Sequence, residues 1–109
     1  MTPLDEIARL LAKYGHTAES LAVHSLAARE EMRVELERFW ADVAGPDVFG
    51  ATNSVASLVL GGESAVPTPV LERDRVEFRR ALWLLADDLS LRGVATPASE
   101  AWRKVLRSS

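Results

Sequence analysis

The sequence predicts an all-α fold: a compact bundle of four main helices plus one short central helix. Three observations predict it. Thr-Pro occurs at Thr2-Pro3, Thr68-Pro69 and Thr96-Pro97, each time ahead of a segment with helical spacing. A threonine hydroxyl can accept from an orphan amide one turn into a helix, and proline suits the first helical position. Apolar residues recur three and four apart over most of the chain, and no segment alternates at period two.

The first helix is expected over about 3–14. Leu4, Ile7, Ala8, Leu11 and Tyr14 share a face, and Asp5 and Glu6 sit where negative charge complements the helix dipole. Gly15 suits a left-handed stop, and Thr17 is expected to cap the next helix. That helix is expected to be long, about 18–43, with Leu21, Ala28, Met32, Leu36, Phe39 and Val43 as its buried stripe and REEMRVELER as its wet face. Gly45-Pro46 is expected to end it.

A short central helix is expected over about 54–60. Asn53 or Ser54 would cap it, and Val55, Leu58, Val59 and Leu60 would enter the core, before GGESAVP makes a surface loop. The fourth segment, about 69–91, carries Leu71, Phe78, Leu82, Leu85 and Leu89, widened by Trp83 and Leu84. Gly93 ends it. The last helix, about 97–106, presents Ala98, Ala101, Trp102, Val105 and Leu106 on one side. With 109 residues the chain is read as a single helical domain, 1–109.

Composition narrows the chemistry. The chain has no cysteine, which excludes disulfides, thiol catalysis and cysteine zinc sites. Its net charge of -3 argues against nucleic acid as a partner. It contains no apolar run of membrane-spanning length and no basic stretch before the first apolar residues, so a cytoplasmic protein without membrane attachment is expected.

The spacing of the polar residues narrows the chemistry further. No Glu-x-x-His pair exists for a di-iron bundle, because Lys13 and Leu21 stand three before His16 and His24. The acidic magnesium pattern of all-α nucleotide pyrophosphatases places Glu30-Glu31 ahead of Glu35 one residue too late. Arg9 and His16 have a ribonuclease-like gap, but Gly15 separates them. There is no Gly-x-Ser-x-Gly elbow. Gly45 and Gly50 have the phosphate-loop gap, yet Ala51-Thr52 stands where Lys-Ser/Thr is needed, and no lysine or arginine occurs from 39 to 72. No catalytic, cofactor-binding or metal-binding residue is therefore expected, and no cofactor.

LDEIARLLAKYG, Phe39-Trp40, FGATNSVASLVL and ALWLLADDL together resemble a family of small uncharacterised bacterial all-helical proteins. That family has a central glycine turn leading to a serine, an apolar residue and a Leu-apolar-Leu run. Here these are Gly50, Ser54, Val55, Leu58, Val59 and Leu60. Gly50-Ala51 and Ser57 stand where the family pattern often has two glycines and an acid. The resemblance implies a helical fold and, by analogy with immunity proteins, function through binding another protein.

The expected function is a protein-interaction domain without catalytic activity, immunity-protein-like in mode and able to form a symmetric homodimer. Three tryptophans in so short a chain favour it, since tryptophan is enriched at binding hot spots. The candidate binding surface is Trp40, Asp47, Phe49, Asn53, Ser54, Ser57, Trp83 and Trp102. One alternative is a small-molecule-binding or hydrolytic protein using the central turn 47–64. A second is a nucleic-acid-binding helical protein using Arg103, Lys104 and Arg107.

Overall fold

A computed structural model describes residues 2–33, 35–49, 54–57 and 68–107. The fold is all-α, with no strand among these residues. The elements are α1 (Pro3–Lys13), α2 (Thr17–Met32), α3 (Leu36–Val43), the single turn α4 (Pro46–Phe49), a 3-10 turn Val55–Ser57, α5 (Thr68–Leu91) and α6 (Pro97–Arg107).

Two of the three Thr-Pro signals act as caps. The Thr2 hydroxyl accepts from the Asp5 amide, and the Asp5 carboxylate accepts from the Thr2 amide, forming a complete capping box. At α6 the Thr96 hydroxyl accepts from the Ser99 amide at 3.1 Å, while the Thr96 amide donates to the Ser99 hydroxyl at 2.9 Å. Thr96 also donates its hydroxyl to the Ala44 carbonyl, which ties the start of α6 to the end of α3. At α5 the helix already includes Thr68.

Gly15 and Gly93 end α1 and α5 in the left-handed region, at φ +82° and +73°. In each case the glycine amide donates three residues back and the next amide five back: Gly15 to Ala12 and His16 to Leu11, Gly93 to Ser90 and Val94 to Leu89. This closes the orphan carbonyls of the last turn, and a side chain at either glycine would be strained. Thr17 does not cap α2. His16 occupies that position, and no side chain bonds the helix end.

The single helix expected over 18–43 is two helices. Arg33 (φ 54°) and Glu35 (φ 47°) are both left-handed and separate α2 from α3. The reason is angular. At 3.6 residues per turn, Phe39 on a straight helix would lie about 160° around the axis from Val23. One straight rod could not turn both toward the same core. The break lets α2 bury Val23 and Ala27 while α3 buries Phe39, Trp40 and Val43.

The cost of this solution is visible on α2. Leu21 (62% exposed) and Met32 (73%), expected in the core, face outward, as does Ala28, and Leu36 is 40% exposed. Pro46–Phe49, expected as a break, is a helical turn that buries Val48 and Phe49. In the expected central helix only a 3-10 turn is described. Val55 is buried there, while Leu58, Val59 and Leu60 lie outside the described residues.

One hydrophobic core joins these elements. α1 lies between α2 and α5, and α6 packs along α5. Leu4, Ile7, Leu10 and Leu11 fill the α1 side, with Phe78, Leu82, Leu85 and Leu89 opposite. The Ser20 hydroxyl donates to the Ala8 carbonyl at 2.8 Å and draws α2 against α1. On α6, Ser99 and Leu106 are buried and Trp102 half-buried, whereas Ala98, Ala101 and Val105 are exposed. The buried edge of α6 is therefore narrower than the apolar spacing predicts.

Candidate functional site

The tryptophans and the central turn were expected to form a binding surface. The structure distributes them differently. Trp40, Phe49 and Ser54 are buried and offer no surface to a partner. Trp40 meets Phe39 edge-to-face at 4.8 Å between ring centres, and the Arg92 guanidinium lies 4.2 Å over its ring. An indole packed this way locks α3 to the end of α5. Trp102 is half-buried against the core. Asn53 and the side chains of Asp47 and Ser57 lie outside the described residues.

Trp83 is half-buried and lines a groove of about 620 Å³ between α5 and α6. Val76 and Leu106 are its other apolar members; Arg75, Arg79, Arg80 and Arg107 bring positive charge and Glu72 one negative charge. The Trp83 indole N–H is buried without an acceptor. This local basic excess, in a chain whose net charge is -3, comes from the one-sided placement of arginines on α5.

A second groove, about 650 Å³, lies beside the central turn. Ala18, Ala22 and Ser25 of α2 face Ala41, Gly45, Val48 and Val55 across it. Its strongest polar feature is the pair Arg29–Asp42, at 2.8 Å, which is satisfied internally. Of the polar residues expected for the small-molecule alternative, Ser54 is fully buried, and Asn53 and the Ser57 side chain lie outside the described residues. Small residues make up much of its wall, beside the larger Glu19, Leu26 and Arg29.

The basic end of α6 is also committed in part. Arg103 pairs with Asp87 at 3.1 Å and with Glu100 at 3.2 Å, and donates to Ser90. Arg9, the arginine of the ribonuclease-like gap, is held by Glu6 and faces Glu77. Among the described residues no group of three potential metal ligands comes together, and no helix is long and apolar enough to cross a membrane.

No family model, curated protein or solved structure matches this chain.

Two acidic groups are electrostatically distinctive: Asp74, missed in the sequence, and Glu30. Asp74 is 1% exposed, on the apolar face of α5. Lys13 Nζ and Tyr14 Oη both donate to its Oδ2 at 2.6 Å. The Lys13 bond, then the Tyr14 bond, hold its carboxyl below the usual carboxylate range against the effect of burial. Burial and the bond to Asp74 push the Tyr14 phenol up. Leu71, Asp74, Phe78 and Leu82 share one helical spacing, so the position could have been read as buried.

Glu30 behaves in the opposite sense. Burial raises its carboxyl first, and the negative charge of Asp88 adds to the rise. A carboxyl raised on folding destabilises the native state once ionised, a penalty absent below its unfolded range and complete above its folded one. Glu30→Gln is therefore expected to raise the melting temperature by about 2 °C at pH 7 and to give no gain near pH 4. Thermal scans at the two pH values check this; an equal effect at both would reject it.

Proposed function

We propose that this chain is a non-catalytic protein-interaction domain, which works by covering the surface of another protein. The observation that carries the reading is the outward apolar face of α2. The stripe Leu21–Ala28–Met32 has the spacing of a core face, yet it is exposed, because α2 buries Val23 and Ala27 on its opposite side. Exposed apolar side chains arranged as one face of a helix suit docking to another helix or groove. The groove beside α2 extends that surface toward α3. The analogy to immunity proteins and the resemblance to small bacterial helical proteins belong to the same reading.

The test compares affinity capture from a lysate of the native host by the unaltered chain and by Leu21→Glu/Met32→Glu. Both positions are exposed, so the double variant is expected to keep its circular dichroism spectrum. A protein recovered stoichiometrically by the first and lost by the second is the expected result. Identical recoveries from two folded chains would reject the reading.

A further inference from the structure

We propose that the outer seam of α2 is a self-recognition surface: two copies of this chain pack antiparallel through α2, with Leu21 of each against Met32 of the other. The proposal rests on the interaction-domain reading and names the partner as a second copy. Leu21, Ser25, Ala28 and Met32 follow one another at intervals of four, three and four, the spacing of a helix–helix seam. All four are exposed; Leu21, Ala28 and Met32 lie on the side of α2 away from Val23 and Ala27, and Ser25 stands at the border between that side and the groove toward α3.

The seam is complementary to itself. The register that sets Leu21 opposite Met32 of the second copy also sets Ser25 opposite Ala28. Large side chains then close both ends, and two small ones meet in the middle, where the backbones can approach. The flanks agree with this direction. His24 and Glu31 lie along one edge of the seam and are exposed. In an antiparallel pair like edges meet. Each His24 imidazole then faces a Glu31 carboxylate, a donor against an acceptor, twice across the two-fold axis. On the other edge Ala22 faces Arg29, whose guanidinium Asp42 already holds at 2.8 Å. A parallel pair would instead set His24 against Arg29, whose guanidinium Asp42 already holds, and would lose both His24–Glu31 contacts, which disfavours that arrangement.

The contact is short. Its four layers span about 16 Å of helix. A seam of that length falls at the small end of protein contacts, below the roughly 1,200 Å² of a stable complex, so a weak, reversible dimer is expected.

Sedimentation of the full chain from about 10 µM to about 1 mM reads this directly and is expected to pass from monomer to dimer. Met32→Glu is expected to move the midpoint at least about tenfold upward. The chain has no cysteine, so the register can be tested by cross-linking. Ser25→Cys mixed with Ala28→Cys is expected to form a mixed disulfide dimer under mild oxidation. Ala98→Cys, exposed on α6, serves as the collision control. A monomer throughout the range, cross-linking no faster than the control, or unchanged dimerisation of Met32→Glu would each overturn the proposal. A monomeric chain that still loses its captured protein on Leu21→Glu/Met32→Glu would end self-recognition alone. Identical capture by both chains would end the interaction reading itself.

Discussion

Phe39→Ala is expected to lower unfolding stability by about 3–4 kcal/mol, which is a large share of what a small domain possesses. Phe39 is fully buried, and its ring bears on the edge-to-face contact with Trp40 at 4.8 Å. The Arg29 guanidinium lies over the same ring at 5.9 Å. Removing the ring leaves a cavity and frees Trp40 and Arg29 from their shared surface. Met32→Ala, on the outward face, is expected to cost about 0.5 kcal/mol. Urea denaturation of the two variants compares the halves of one sequence stripe directly. Similar losses at both positions would mean that a single straight helix buries the whole stripe, and would reject the break at 33–35.

That break marks the limit of what was legible. Periodicity placed α1, α5 and α6 well, because each has one dominant apolar face and clear terminal chemistry: the capping box at Thr2, the paired Thr96–Ser99 bonds, and Gly15 and Gly93 in left-handed stops. From Leu21 to Val43 the apolar spacing is continuous, so nothing local signals an interruption. The residues that adopt positive φ are Arg33 and Glu35, side chains with no preference for that region. Tertiary packing imposed them: Phe39 and Trp40 are far bulkier than Val23 and Ala27, the residues α2 buries, and burying them outweighs two left-handed residues at about 1–2 kcal/mol each. The turn at Pro46 was hidden for a related reason, since proline reads equally as a stop and as a first helical residue.

The candidate surface was less legible than the fold. Tryptophan is ambiguous between core and interface, and here Trp40 went to the core while Trp83 and Trp102 are half-buried. Composition could not separate these outcomes. The exposed seam on α2 was misread because its residues have core spacing; only the competing face of Val23 and Ala27, with Ser20 bonded to Ala8, explains why it points outward. Asp74 was overlooked because an aspartate amid REEMRVELER-like charge on α5 looks solvated. Its position in the Leu71–Phe78 spacing was the available signal.

Lys13→Met tests that buried carboxylate and is expected to cost about 3 kcal/mol at pH 7. The substitution removes the cation 2.6 Å from Asp74 Oδ2 and leaves the carboxylate with the Tyr14 hydroxyl and, 3.9 Å away, the exposed Arg73. Asp74→Asn is expected to cost less, about 1–2 kcal/mol, because the amide oxygen can still accept from Lys13 and Tyr14. The pH dependence separates the two. In the native protein the Asp74 carboxyl is held low, so its stabilisation is present above the unfolded range near pH 4 and is lost as pH falls through the folded value. Without Lys13 the folded carboxyl titrates higher. The deficit of Lys13→Met is then largest at neutral pH and shrinks toward pH 4, as protonation relieves the unpaired charge. Asp74→Asn has no charge to relieve, but the native protein loses its own advantage below pH 4, so this deficit narrows only there. Urea denaturation at pH 7, 5 and 4 distinguishes the curves, and a Lys13→Met deficit constant from pH 7 to 4 would show that Lys13 contributes packing of its stem rather than charge.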